Sequence, residues 1–282
     1  MKIAQSSSTH MLIKTLAAAG MLFCFCLSAY GAFAAAGDNG QGDGGYRAGQ
    51  SMKFIILDAD DQRAIGHAEY RSEQVNGRIV LRGENRYNNG EHDVERDELS
   101  YLQGERVPTM LHFEHRFFNA DGSLKLMGRA DPQSGQAWCD SYTAGQQHNL
   151  SKKLDFPSDT YAGAAAVVAM KRAFLNGRDS IDFHVFDCAP GPVVASVSAQ
   201  RADDNQHWGP YSKPLTRVEL SPSFGMLSKV LKGVLPSRNV WFDPSDDWQY
   251  IGGKIQRYLA DGPQVVLVRE ESVGDGLAES HH

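Results

Sequence analysis

Thr109-Met110-Leu111-His112-Phe113-Glu114-His115-Arg116-Phe117-Phe118 decides the fold. Read with a period of two, Leu111, Phe113, His115 and Phe117 share one side, and His112, Glu114 and Arg116 share the other. That alternation belongs to a strand with one buried and one wet face. The same pattern lies upstream, where Ile79 and Leu81 oppose Arg82, Glu84 and Arg86 within Arg78–Tyr87. Turn signals separate the runs. Asn76-Gly77 is a two-residue hairpin signal, and Asn88-Asn89-Gly90 and Asp121-Gly122 follow it. Short runs from Met52 to Tyr142 with no helix between them predict an up-and-down antiparallel sheet. A parallel sheet needs helical crossovers, and this stretch has none.

One helix is expected after Pro157, with Ser158 or Asp159 as its cap. Ala162–Leu175 is rich in Ala, Val and Met, and Asn176-Gly177 supplies the C-terminal stop. Strands resume at Ile181–Phe186, Val193–Ala199, Leu215–Leu220, Val240–Phe242, Tyr250–Tyr258 and Val265–Val268. Between two of them Phe224, Leu227, Leu231, Val234 and Leu235 recur at helical spacing. The expected fold class is mainly β: a curved antiparallel sheet or open half-barrel with one or two packed helices, in a single domain over residues 51–270.

The N-terminus reads as an export signal over residues 1–36. Lys2 and Lys14 precede an uncharged stretch with an apolar heart at Met21–Leu27, and Ala32–Ala36 offers the small residues of a cleavage site. A retained single-span anchor is the alternative, since the uncharged run is just long enough to cross a bilayer. A Gly-rich flexible leader over residues 37–50 and a polar tail over residues 271–282 flank the domain. The chain has 28 Lys and Arg against 34 Asp and Glu, a net charge of −6. Removing residues 1–36 takes Lys2 and Lys14 and no acid, which leaves −8. An acidic chain of ordinary globular composition, 41% hydrophobic, argues against nucleic acid as a partner. Beyond the leader only Cys139 and Cys188 remain, an even pair that suggests a disulfide in an oxidising compartment. Two separate buried thiols are the alternative.

No nucleophile elbow, zinc-protease helix, phosphate loop or Cys-x-x-Cys is present, which argues against an enzyme without removing the possibility. No catalytic residue, metal ligand or cofactor is assigned. Gly40-Gln41-Gly42-Asp43-Gly44-Gly45 matches a dinucleotide fingerprint in spelling alone, because no strand precedes it. Asp58-Ala59-Asp60-Asp61 lacks the rest of a calcium loop and reads as an acidic turn. In His112-Phe113-Glu114-His115 the strand period places His112 and Glu114 on the wet face and His115 in the core as a hydrogen-bonded histidine. His67 with Glu69 and Asp182 with His184 are further same-face pairs that meet only if the sheet curls.

Phe54-Ile55-Ile56-Leu57 followed by Ala64-Ile65-Gly66-His67-Ala68-Glu69-Tyr70 resembles the opening hairpin of secreted bacterial domains of unknown function. Asp155-Phe156-Pro157 before an Ala-rich helix, Val193–Ala199, and Trp241-Phe242-Asp243 before two closing strands fit the same order. The resemblance implies a curved sheet or half-barrel, similar in outline to periplasmic lipoprotein carriers. A curved sheet covered by a single helix leaves apolar surface for a second layer or a cavity. The expectation is therefore a periplasmic or secreted protein that binds or carries a hydrophobic ligand such as a lipid or acyl chain. Phe113, Phe117 and Trp138 are expected to share its hollow with Leu227 and Leu231, and Phe224–Leu235 to offer a membrane contact. An envelope enzyme acting on a glycan or lipid headgroup through scattered His, Glu and Asp, and a non-catalytic envelope assembly or scaffold protein, are the alternatives.

Overall fold

The computed structural model describes residues 51–100, 108–143, 146–188, 191–208, 211–223, 238–257 and 263–270. The expected export signal, the leader, the tail, Leu227, Leu231 and all but the ends of the 223–238 connection lie outside these residues. Among the described residues, fifteen strands form one sheet. Eight come first as a meander: β1 Ser51–Asp58, β2 Ala64–Val75, β3 Arg78–Tyr87, β4 His92–Ser100, β5 Thr109–Phe118, β6 Leu124–Asp131, β7 Gln136–Thr143 and β8 Gln146–Lys153. The two-residue strand β9 Thr160–Tyr161 and the helix α1 Gly163–Leu175 follow. A second meander closes the chain: β10 Ser180–Asp187, β11 Val193–Trp208, β12 Tyr211–Pro222, β13 Arg238–Asp243, β14 Gln249–Gln256 and β15 Gln264–Arg269. Antiparallel pairing of β15 with β1 welds the two meanders, and β9 pairs with β10 in parallel.

Turn chemistry sets the register. Asn76 and Gly77 both hold positive φ, 52° and 75°, and Val75 faces Arg78 across the loop. That geometry suits the right-handed twist of the flanking strands. Register fixes the faces, so across the inner side Tyr70, Gly83, Glu95, His115, Gly128 and Cys139 stand opposite one another, strand by strand. The two glycines make room. A Cβ on Gly83 would overlap the Tyr70 ring, and one on Gly128 would lie 3.1 Å from Cys188 Sγ. One sequence assignment changes here. Leu99 pairs with Met110 and Glu98 with His112, so Leu111 is the extra residue of a β-bulge. Met110 takes the buried place that strict alternation gave to Leu111.

The sheet curls without closing. Its two edges are β8 and β9, and they overlap instead of pairing. Tyr161 Oη donates to Pro108 O at 2.7 Å, and Phe186 meets Phe113 edge-on at 5.8 Å. The disulfide Cys139–Cys188, with Cα atoms 5.5 Å apart, ties β7 to the end of β10. Closing a loop of 49 residues stabilises the fold by about 4 kcal/mol in the chain-entropy view.

The helix fills the curl. Eleven of its thirteen residues are buried, most of them alanine and valine, small enough for strands to approach on several sides. Its start differs from the expected cap. Ala162 is the N-cap and makes no side-chain bond, because Thr160 and Tyr161 are drawn into pairing with β10. Asp159 instead meets His184 Nδ1 at 2.8 Å. The stop matches its expectation: Asn176 is the C-cap, and Gly177, at φ 73°, donates its N–H to Phe174 O.

Candidate functional site

The most unusual chemistry lies where α1 enters the sheet. Asp93, Glu95 and Asp97 alternate along β4 with Val94, Arg96 and Glu98, and all three acids point inward with exposures of 5% or less. Buried carboxylates need partners, and here the partners are main-chain amides and a histidine. Ala164 N donates to Glu95 Oε1 at 2.8 Å, and Ala165 N donates to Asp97 Oδ2 at 3.0 Å. These are charge-assisted caps supplied by a strand from far along the chain, and they sit at the positive end of the helix dipole. Gly163 makes the approach possible: at φ 52°, a Cβ there would overlap Glu95 Oε1.

His115 joins the acids from β5. Its Nε2 lies 2.8 Å from Asp93 Oδ1 and its Nδ1 3.6 Å from Glu95 Oε2. The network extends outward. Asn85 Nδ2 donates to Asp93 Oδ1 at 2.6 Å, Tyr70 Oη to Asn85 Oδ1 at 3.0 Å and Tyr87 Oη to Asp93 Oδ2 at 3.3 Å. Burial pushes the Asp97 carboxyl up to about 7, and the Glu95 carboxyl and the Ala165 and Ala164 amides only partly oppose it. Asp97 Oδ1 has no hydrogen-bond partner among the described residues. Tyr70 is raised well above its ordinary range by burial and then by the nearby Glu95 and Asp93 charges.

The far end of α1 is held differently. Gln249 N bonds to Asp246 O at 2.8 Å around Asp247 and Trp248, whose φ values are 47° and 55°. Left-handed backbone costs about 1–2 kcal/mol at a residue with a side chain. Trp248 packs on Phe174 with ring centres 5.1 Å apart, under Arg201 at 4.9 Å. Nearby Lys171 is buried in the helix, and desolvation draws its pKa down to about 8 against the opposing pull of Asp247 and Asp246.

The residues expected to line a ligand hollow separate. Phe113 and Phe117 point inward, but Phe113 meets Phe186 and Phe117 lies on the His115 ring with centres 4.1 Å apart. Trp138 is on the other face: it stands opposite Arg129, whose guanidinium lies 4.9 Å above the indole. The strand period separates it from Ala137 and Cys139, which point inward. His112 and Glu114 sit on that outer face too, Glu114 paired with Arg116 at 2.7 Å. His67 is exposed and meets Glu270, while Glu69 bonds to Ser51 and Arg71.

The inner acids were missed because each looked like a solvated residue of a polar strand. One signal was available. Asp93, Glu95 and Asp97 are in phase with Leu99, and a strand that buries Leu99 buries them as well. Chemically, the cluster can cap a helix and store a proton. His115 and the three acids are buried, with exposures of 5% or less. Among the described residues no three His, Cys, Asp or Glu side chains are arranged to hold a metal ion. The outer face of β2–β5 carries an open depression of about 560 Å³ lined by Arg71, Arg82, Arg96 and Arg116 with Glu69, Glu84 and Glu114.

No family model and no curated relative matches the chain. Among solved structures it is similar to a β-barrel-like protein of the domain of unknown function DUF1849 from Brucella abortus. The identity is 12%, with 78% of this chain and 95% of that one covered, and the TM-score is 0.40.

Proposed function

We propose that the protein is exported and serves in the envelope as a rigid, non-catalytic scaffold or assembly module that works through its outer surface. The observation that carries this reading is that, among the described residues, α1 is buried in the core of the curl. An Ala-rich helix occupies the space a carried ligand needs, with its first turn capped by Glu95 and Asp97 and its last turn under Trp248. Displacing it breaks two charge-assisted hydrogen bonds and exposes a long buried face. Export is supported by the sequence of residues 1–36 together with the Cys139–Cys188 bridge, a bond kept in oxidising compartments. N-terminal sequencing of the protein from its native host is expected to begin near Gly37, and an intact Met1 in a membrane fraction contradicts it.

A second reading, binding or carriage of a lipid or acyl chain, is favoured by the apolar Phe224–Leu235 stretch between β12 and β13. Native mass spectrometry and titration with a fluorescent fatty acid separate the two. The scaffold reading predicts the bare polypeptide mass and no saturable uptake; a stoichiometric co-purifying lipid makes the carrier reading the correct one.

A further inference from the structure

We propose that Asp93, Glu95, Asp97 and His115 form a proton-operated latch on α1, which seats the first turn of the helix while the Glu95–Asp97 pair holds a proton and loosens it when that proton leaves. The geometry carries the argument. Two neighbouring carboxyls of one strand each accept one amide of the first turn, and all other polar groups around them are also buried. Facing the pair are Tyr70 from β2, His115 from β5 and the helix amides, while Asn85 and Tyr87 from β3 bond to Asp93 of the same strand. With one proton, the pair carries one negative charge against the positive end of the helix. Without it, two like charges sit side by side in a dry interior, and the relief available is entry of water at the first turn.

A path for the proton is present. Tyr87 lines an open depression of about 370 Å³ at the end of the sheet, beneath Arg257, which stacks on its ring at 3.5 Å. From Tyr87 Oη hydrogen bonds lead to Asp93 and then to His115, whose Nδ1 lies 3.6 Å from Glu95 Oε2. Ionisation is a simple transfer: the carboxyl O–H breaks, the electron pair stays on the carboxylate, and the proton passes to water. The carboxyl held near 7 places the change in the neutral range.

Hydrogen exchange of the intact mature protein, read by mass spectrometry over Ala164–Met170 and corrected for intrinsic exchange, tests the latch. Opening of this stretch is expected to rise about tenfold per pH unit from about pH 5 to about pH 7 and to level off above. Asp97→Asn, which keeps the shape and cannot ionise, is expected to remove that slope. A flat wild-type profile, or an unchanged slope in Asp97→Asn, overturns the proposal. An infrared measurement on wild-type protein alone gives a second readout. The band of a protonated buried carboxyl should be present at about pH 5 and lost above about pH 8; its absence at the lower pH, or its persistence at the higher, also overturns the latch.

Discussion

The two sides of β4 carry the same kind of residue into opposite surroundings. On the outer side Glu98 meets Arg96 at 2.6 Å and Arg78 at 3.2 Å, among ion pairs within and between strands that water reaches. On the inner side Glu95 and Asp97 meet two helix amides and His115, and water is excluded. Exposed pairs of the first kind contribute about 0.2–1 kcal/mol each. Removing one partner from a buried ionic group costs about 3–5 kcal/mol, because the other is stranded. The difference teaches that in this strand the charge count says little, and the partner on each side says nearly everything.

The largest effect expected from breaking the inner side is at His115. His115→Ala removes the group that Asp93 and Glu95 both face and the platform under Phe117, and should cost about 3–5 kcal/mol by urea denaturation. Gly163→Ala comes next. It puts a Cβ into the place of Glu95 Oε1 at a left-handed φ, and should cost about 2–4 kcal/mol, from the backbone and from the lost cap. A melting temperature equal to wild type in either variant would mean that the inner network is not what seats the helix.

The pH profile sharpens the comparison because the two sides have opposite signs. Asp97 titrates near 7 when folded and near 3.8 when unfolded, so between those values the unfolded chain binds fewer protons. Its contribution is therefore full below about 4 and falls, by up to about 1.4 kcal/mol per pH unit, until about 7. At Glu98 burial raises the pKa, but the hydrogen bonds of Arg96 and Arg78 outweigh it and hold the group below its ordinary value. Its stabilisation is present above the ordinary glutamate range and is lost as pH falls through the lowered value. Denaturation of Asp97→Asn across about pH 4–7 should give a rising difference from wild type, in favour of the variant at the upper end. Glu98→Gln should be less stable than wild type by under about 1 kcal/mol at neutral pH and converge on it at the acid end, where wild type itself loses that stabilisation.

The smallest effect is expected on the outer lattice. Arg82→Gln breaks its exposed pair with Glu73 and should change stability by less than about 1 kcal/mol at moderate salt, less still at high salt.

Much of the fold was legible because hairpin chemistry is local. Asn76-Gly77 fixed one register by itself, and the alternation in Thr109–Phe118 showed the two faces except at the Leu111 bulge, which no local pattern announces. Two stretches of strand were missed for one reason. Gln146–Lys153, and the Gln200–Trp208 half of β11, are polar on both faces, so a period of two has nothing to mark. The helix stop was legible in Asn176-Gly177, whereas its start was not. Ser158 and Asp159 are good caps by composition, but the helix begins later and takes its caps from a strand more than sixty residues upstream. Trp138 was placed with Phe113 by hydrophobicity, although Ala137 and Cys139, its neighbours in the strand, are the pair that point inward.

The most direct test is a side-by-side denaturation of Glu95→Gln and Glu98→Gln, two glutamates three residues apart on one strand, at neutral pH and moderate salt. Glu95→Gln exchanges the charged acceptor of Ala164 N for a neutral one beside His115 and Asp97, and Glu98→Gln does the same beside two arginines in water. The expected loss is about 2–3 kcal/mol for the inner change and below about 1 kcal/mol for the outer one. Equal losses, or a larger loss at Glu98, would contradict the claim that the inner face of β4 fastens the helix into the sheet.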